Sequence, residues 1–344
     1  MMRHQPARLL VTGGAGFIGS NFVHWMLARR PDVRIVTLDA LTYAGSLSNL
    51  EGLPDASRHV FVHGDIRDAA LVDGLLGEHR IDTVVHFAAE SHVDRSIEGP
   101  GAFVQTNVLG TFTLLEACRR AWLGPSRPGR TVRFHHVSTD EVYGSLGPDD
   151  PAFTEETSYA PNSPYSASKA ASDHLVRAYR HTYGLPVTLS NCSNNYGPRQ
   201  HGEKFIPTVM RACLEGRPIP VYGNGRNVRD WLYVDDHCEA IDRIVREAED
   251  GETFNVGGLC ELQNIELARR ICRELDARRP GGAPHERLLT FVTDRAGHDW
   301  RYAIDISRLQ DRLGWRPVSG FASGIAATVD DFLGRWSADE RHGR

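Results

Sequence analysis

Arg8-Leu9-Leu10-Val11-Thr12-Gly13-Gly14-Ala15-Gly16-Phe17-Ile18-Gly19 runs directly into the apolar-periodic residues Phe22, Val23, Trp25, Met26 and Leu27. Arg8 to Thr12 reads as a short buried strand, the glycines as a turn, and the periodic residues as one face of a helix. The glycines permit a tight turn and a close backbone approach, and they leave helix N-terminal amides for a pyrophosphate. A second strand, Arg34 to Leu38, ends on Asp39, twenty residues beyond Gly19. A carboxylate there can accept hydrogen bonds from an adenosine ribose. It also repels a 2′-phosphate, and Ala40 and Leu41 supply no arginine to welcome one, so NAD is expected rather than NADP.

The same alternation continues outward. Strand signals recur at His59 to His63, Thr83 to Phe87, Val132 to Val137 and Val187 to Leu189, separated by helical stretches at Ala69 to Leu76, Gln105 to Ala121 and Ser163 to Tyr183. Strands alternating with helices predict an α/β fold, a doubly wound parallel sheet of the Rossmann type, with ligands beyond the strands' carboxyl ends. Asp39, Asp65, Glu90-Ser91-His92 and Thr139-Asp140-Glu141 all follow such ends. After Asn194-Asn195-Tyr196-Gly197-Pro198 the regular alternation stops. We therefore expect residues 1–196 to form the cofactor domain and 197–344 a smaller, interwoven substrate lobe, some of whose chain returns to the first domain. Ser337 to Arg344 reads as a polar tail.

Composition limits the partners. Of 344 residues, 41% are hydrophobic and 24% charged, ordinary values for a globular chain, and a net charge of −5 gives no general attraction to nucleic acid. Met1 to Ala7 carries no long apolar run, so neither a signal peptide nor a membrane anchor is expected, and the expected location is the cytoplasm. The six cysteines form no CxxC pair and no metal-ligand spacing, so they read as reduced and mostly buried, with no metal site.

Of 39 lysines and arginines only two are lysines, Lys169 and Lys204. Such a bias suggests that lysine stands where a compact ammonium of adjustable pKa is needed. Lys169 follows Tyr165 by four residues in Tyr165-Ser-Ala-Ser-Lys169, one helical turn, which puts phenol and ammonium on one face. The cation is expected to draw the phenol's pKa down toward that of a working base.

These features together resemble the extended short-chain dehydrogenase/reductase superfamily, and within it the dTDP-glucose 4,6-dehydratases. The resemblance runs from Val11 to about Trp315. It rests on Thr-Gly-Gly-Ala-Gly-Phe-Ile-Gly at 12–19, Leu-Thr-Tyr-Ala-Gly at 41–45 and His-Phe-Ala-Ala-Glu-Ser-His-Val-Asp-Arg-Ser at 86–96. Ser-Thr-Asp-Glu-Val-Tyr-Gly at 138–144 and Arg-Asp-Trp-Leu-Tyr-Val at 229–234 complete it. The glycine motif is common to the superfamily; Thr139-Asp140-Glu141 joined to the Tyr165-Lys169 helix is more specific.

The resemblance implies a reaction in three parts: oxidation at the sugar's C4, loss of water across C5 and C6, and return of hydride to C6. It implies that Tyr165 takes the C4 hydroxyl proton, that Lys169 also binds the nicotinamide ribose, and that Thr139 hydrogen-bonds the C4 oxygen. Glu141 would remove the C5 proton and a protonated Asp140 would donate to the departing C6 hydroxyl. Outside that context, an Asp-Glu pair after a strand reads as a helix cap or solvated loop. By the same resemblance Gly13, Gly16, Phe17, Ile18, Gly19, Asp39, Thr42, Asp65, Ile66, Ala88, Ala89, Ser91, Thr106 and Asn195 line the NAD site. His92, Asn194, Lys204 and Phe205 contact substrate, Pro220 and Tyr222 form a nucleobase platform, and Arg229, Asn264 and Arg295 grip the diphosphate, where a planar guanidinium suits phosphate oxygens. His298 stands between substrate loop and structural histidine. A homodimer packed through Gln105 to Ala121 and Ser163 to Tyr183 is also implied.

Two stretches depart from the family pattern, Arg199-Gln200-His201-Gly202 and Thr328-Val329-Asp330-Asp331-Phe332, and neither is expected to touch the chemistry. The rival readings are a UDP-sugar 4,6-dehydratase, a nucleotide-sugar 4-epimerase, a UDP-glucuronate decarboxylase and a non-catalytic NAD-binding regulator. An epimerase needs no C5 base or C6 acid, and a regulator has no use for Tyr165 and Lys169 one turn apart.

Overall fold

A computed structural model describes residues 4–124, 131–294 and 297–342. The first half of the chain runs β1 (Arg8–Thr12), α1 (Phe17–Arg29), β2 (Arg34–Asp39), β3 (His59–His63), α2 (Ala69–Glu78), β4 (Thr83–His86), α3 (Val93–Glu98) and α4 (Pro100–Phe103). A π-helical turn, Val104–Gly110, leads into α5 (Thr111–Leu123), followed by β5 (Arg133–Thr139), α6 (Pro164–Tyr183), β6 (Val187–Cys192) and β7 (Asn194–Tyr196). The second half adds α7 (Phe205–Glu215), β8 (Ile219–Tyr222), β9 (Val228–Tyr233), α8 (Val234–Glu247), β10 (Thr253–Val256), β11 (Glu261–Gln263), α9 (Asn264–Arg278), β12 (Leu289–Val292), α10 (Ser307–Leu313) and α11 (Phe321–His342).

Seven strands form one parallel sheet in the order β10-β6-β5-β4-β1-β2-β3. The order reverses between β1 and β4, which opens a crevice beyond their carboxyl ends. Leu9, Leu10 and Val11 on β1 are fully buried, facing helices on both sides of the sheet, and burying each such side chain stabilises the fold by about 1.5–3 kcal/mol.

Two strands run further than their apolar residues suggest: β5 reaches Thr139 and β6 reaches Cys192. Buried polar groups persist in a sheet where they find partners. Ser138 here donates to Asp173 at 2.9 Å, and Asn191 donates to the Thr139 carbonyl at 3.2 Å. The single helix expected over 105–121 is interrupted by the π turn, where Asn107 donates to the Glu90 carbonyl and to Ser168, tying the helix to the loop after β4.

The second lobe is a three-stranded sheet, β11-β9-β7, and a two-stranded pair, β12-β8, packed with α7, α9 and α11 around Ile206, Met210, Leu267 and Ile271. Later chain also returns to the first half. β10 joins the edge of the large sheet, and α8 packs Val234, Cys238 and Ile241 against Phe22 and Met26 of α1. The expected polar tail is instead the end of α11, whose backbone stays helical to His342. Buried Ile325 and Val329 anchor its first turns, and helix propagation from a packed start costs little.

Candidate active site

The crevice is a cleft of about 510 Å³ beyond the carboxyl ends of β1, β2, β4, β5 and β6. Its floor is the first glycine turn. Gly13 adopts φ +69°, a region that favours glycine, and a Cβ on Gly19 would lie 2.3 Å from the Gly13 carbonyl oxygen. The turn therefore closes on itself only without side chains. No side chain caps α1, so its first amides face the cleft. Asp39 at the end of β2 is held by two backbone donors, Ala15 at 2.9 Å and Leu41 at 2.8 Å. Each carboxylate oxygen keeps a lone pair beyond these, so both could accept from a ribose. A glycine cradle, uncapped helix amides and a fixed carboxylate fit a dinucleotide.

Gly16, Phe17, Ile18, Thr42, Asp65, Ile66, Ala88, Ala89, Ser91, Thr106 and Asn195 line the same cleft. So do Thr139, Asp140, Glu141, Tyr165, Lys169, Asn194, Lys204 and Phe205. Lys204 Nζ reaches across to donate to the Ser91 carbonyl at 3.0 Å.

Tyr165 is placed by the start of α6. Ser163 caps the helix, accepting from Ser166 N at 3.1 Å, and Pro164 occupies the first turn, so the phenol enters the cleft at a fixed point. Opposite it, the turn Asp140–Tyr143 is opened by Thr139, whose Oγ1 accepts from Glu141 N at 3.2 Å. That cap orients the two consecutive carboxyls.

Asp140 is buried, and its Oδ2 has no hydrogen-bond partner among the described residues. Burial, and then the nearby Glu141 and Asp230 carboxyls, hold it well above the usual carboxylate range. It is thus a neutral acid with one oxygen uncommitted. Burial also drives the Tyr165 phenol up, reinforced by Glu141 and Cys192 and opposed by a hydrogen bond with Thr139.

One expectation needs correction. Tyr165 and Lys169 do share a face of α6, but the ammonium donates to the Val137 carbonyl on β5 at 2.8 Å, and the phenol is raised rather than lowered. The reason is desolvation: a buried phenolate costs more than a partially diverted ammonium returns, and a buried ammonium must itself find an acceptor.

The remaining substrate candidates lie outside the cleft lining. His92 caps α3, its Nδ1 accepting from Arg95 N at 3.5 Å. Pro220 and Tyr222 share the exposed side of β8, and the Tyr222 ring meets His298 edge-on at 6.1 Å. His298 Nδ1 lies 2.6 Å from Asp294. Arg229 is buried on β9, donating to the carbonyls of Val228, Asp299 and Trp300, with its guanidinium 4.2 Å from the Tyr302 ring centroid. Asn264 opens α9, its amide bonded to the Asn227 carbonyl. Arg295 lies outside the described residues.

The cleft also includes residues that the sequence did not single out. Gln200 and His201 line it, although their segment departs from the family pattern and was expected to stand clear of the chemistry. The loop between β7 and α7 carries them back over the cofactor side, with Gln200 donating to the Asn195 carbonyl at 3.0 Å, and no local signal announces that path. Cys192, Ser193 and Trp231 join them. All six cysteines are free thiols. Among the described residues no cluster of His, Cys, Asp and Glu could hold a metal, and no helix is long and apolar enough to cross a membrane.

Comparison with known proteins separates readings that the fold alone leaves together. The family profile described as GDP-mannose 4,6 dehydratase matches residues 10–328. The dTDP-glucose 4,6-dehydratase of Xanthomonas campestris is 60% identical over 95% of this chain and 93% of its own length. The solved structure of DesIV, a dTDP-glucose 4,6-dehydratase from Streptomyces venezuelae with NAD bound, superposes with a TM-score of 0.87 at 47% identity, covering 97% of this chain and 98% of that one. The UDP-glucose 4-epimerase of Thermotoga maritima reaches a similar TM-score, 0.84, at only 26% identity, over 96% of this chain and 99% of that one. Shape is therefore common to dehydratase and epimerase, and sequence identity parts them. The chain belongs to the extended short-chain dehydrogenase/reductase superfamily and, within it, to the dTDP-glucose 4,6-dehydratases.

Proposed function

We propose that the protein is an NAD-dependent hydro-lyase that converts dTDP-glucose to dTDP-4-keto-6-deoxyglucose and water. The observation that carries this reading is the buried Asp140 carboxyl, kept neutral with one oxygen unpartnered, next to Glu141 and in one cleft with Tyr165. An oxidation or an epimerisation at C4 has no use for a spare acid and base; a 1,2-elimination needs both.

NAD, held by the glycine turn, Asp39, Thr42, Asp65 and Lys169, would supply hydride transfer from C4 and back to C6. Tyr165, as phenolate, receives the C4 hydroxyl proton while Thr139 holds that oxygen; burial opposes this ionisation, and the positive charges of Lys169 and of the oxidised nicotinamide, when bound, would favour it. The resulting ketone acidifies the neighbouring C5 proton, which passes to Glu141, while Asp140 gives its proton to the C6 hydroxyl as it leaves as water. Glu141 then returns its proton to C5 as C6 is reduced. One turnover leaves a proton on Tyr165 and removes one from Asp140. Thr139 hydrogen-bonds both and so links the two sites that must exchange it.

Asn194, Lys204, Phe205 and His92 are assigned to substrate contacts, Arg229, Asn264 and Arg295 to the diphosphate, Pro220 and Tyr222 to the base, and His298 to the substrate loop. Residues 1–196 act as the cofactor domain and 197–344 mainly as the substrate lobe. Val104, Leu109, Phe112 and Tyr183 are large apolar side chains left exposed around α5 and the end of α6, which supports a homodimer packed through these helices in the cytoplasm, where NAD and nucleotide sugars are available.

The test is incubation of dTDP-glucose with the protein in D₂O, with NAD added if none co-purifies. Loss of one water with deuterium at C5 is expected. A C4 epimer without water loss would overturn the reading in favour of an epimerase, and turnover of UDP-glucose alone would redirect it to a UDP-sugar dehydratase.

A further inference from the structure

At the cleft wall and just behind it three charged or titratable side chains pack together with almost no exposure: Lys169, which lines the cleft, and His136 and Asp173. Lys169 and Asp173 are one helical turn apart on α6 and so lie on the same face. Lys169 Nζ donates to the Val137 carbonyl at 2.8 Å and stands 3.4 Å from His136 Nε2, and that nitrogen approaches Asp173 Oδ1 to 3.2 Å. The other Asp173 oxygen accepts from Ser138 Oγ and from Tyr159 OH, both at 2.9 Å, and Arg177 donates to the Tyr159 oxygen at 2.8 Å. A carboxylate fixed on one side by two hydroxyls thus turns its other oxygen to the same imidazole nitrogen that the lysine approaches.

The electrostatics give this arrangement a purpose. Burial alone disfavours the ammonium, and Asp173 is the largest influence opposing it. Burial, and next the charge on Lys169, press His136 down to about 4, so the imidazole is neutral at working pH. The assembly then carries one positive and one negative charge, the arrangement in which a buried ion pair is tolerated, whereas one partner alone is not. The other groups facing it do not replace Asp173. His86 on β4 has its ring 5.2 Å from that of His136 and is itself held neutral by burial, and His135 lies next along β5, likewise neutral. Cys192 on β6 is a thiol pushed up to about 12 by burial, and Tyr165 and Tyr159 are raised phenols. Arg177 adds positive charge.

We infer that Asp173, acting through its charge beside His136 Nε2, is a positioning residue that keeps the Lys169 ammonium charged and fixed behind Tyr165. The inference rests on the dehydratase reading for its catalytic meaning, but its physical content can be measured without turnover.

With only two lysines in the chain, full-length protein labelled with ¹³C-lysine shows two ε-methylene signals, and Lys204→Arg assigns them. In the wild type burial lowers the Lys169 midpoint from the ordinary lysine value, and Asp173 limits that fall. Asp173→Asn should lower it by about 1–2 units, and Asp173→Glu should restore most of the shift. In the Asp173→Asn variant the alkaline fall of kcat, to which Asp140 also contributes, should begin at lower pH, with KM for dTDP-glucose little changed. Asp173→Ser removes the same charge with a smaller side chain and is read if Asp173→Asn does not fold. A wild-type midpoint below about 8, or an unmoved midpoint in a folded Asp173 variant, would overturn the inference. Absence of water loss in the wild type would instead overturn the dehydratase reading and leave the titration result standing.

Discussion

In the seven-stranded half, the residues assigned to the cofactor sit in the segments that follow the carboxyl ends of parallel strands and line a single cleft; in the second lobe, those assigned to base and diphosphate are scattered over β8, β9, the start of α9 and the loop after β12, outside that cleft's lining. The contrast shows two ways of building a site. Parallel strands all end on one side of a sheet, so function at strand ends converges without further instruction. The short strands of the second lobe are split between two small sheets, with parallel pairs β7-β9 and β8-β12 and an antiparallel pair β9-β11, so they share no common end, and their side chains meet only through packing between elements distant in sequence. Commitment differs as well. The cofactor side offers glycines and uncapped amides, whereas Arg229 is already engaged with three backbone carbonyls.

The largest effects belong to the first half. Tyr165→Phe and Asp140→Asn should each reduce turnover by about 10²–10⁴-fold with the fold intact, followed by product mass and circular dichroism. Asp140→Asn should also raise Tm at pH 7. The folded-state pKa of Asp140 lies above its unfolded value, so its contribution is fully present at low pH and is lost as pH rises through the folded pKa, while a neutral amide carries no such loss. Dehydration by the wild type should likewise fall on the alkaline side, where Asp140 ionises. An unchanged Tm together with a flat alkaline profile would remove the claim that Asp140 is stored as a neutral acid.

Next in size is Gly19→Ala. The added Cβ meets the Gly13 carbonyl at 2.3 Å, so the turn must open, and NAD affinity measured by calorimetry should fall at least about tenfold with some loss of Tm. Unchanged affinity would mean that the cradle is not what holds the dinucleotide.

Arg229→Met tests the second lobe where the contrast is sharpest. Each of the three carbonyls keeps a second donor, from Tyr302 N, Val228 N or Asn227 Nδ2, so loss of the guanidinium bonds should cost only about 1 kcal/mol of stability. If the guanidinium also meets the diphosphate, KM for dTDP-glucose rises at least about tenfold with kcat little affected, a charge-assisted contact being about 1.5–3 kcal/mol. A stability loss with KM unmoved would make Arg229 a lobe-building residue only. The smallest effect is expected for Tyr222→Ala, about a fivefold rise in KM if its exposed ring stacks on the base, corresponding to about 1 kcal/mol.

Much of the first half was legible because its rules are local. Arg8 to Thr12 and His59 to His63 are strands at the expected residues, and α6 begins beside the expected Ser163 because a serine cap and a proline in the first turn leave little choice. The extensions of β5 and β6 were not legible, because Ser138, Thr139 and Asn191 look like loop residues until Asp173 and the neighbouring strand supply their partners. The entry of Gln200 and His201 into the cleft was hidden for a related reason: a turn-rich loop carries no periodicity, and its course is set by what it packs on. Thr139-Asp140-Glu141 and Tyr165-Lys169 could be named from sequence, but the direction of the ammonium could not. That depended on the Val137 carbonyl and on His136, 32 and 33 residues away along the chain.

The sequence by itself determined the sheet's alternation, the glycine turn, the acidic end of β2 and the choice of chemical groups, because strand burial, helix starts and tight turns are decided by neighbours within a few positions. Tertiary structure alone decided which of those groups are charged. Asp140 is a neutral acid because burial and two carboxyls surround it. Burial disfavours the Lys169 cation, and the Asp173 charge opposes that effect. Protonation follows the local dielectric and the nearest charges, and both are properties of the folded interior that no stretch of sequence contains.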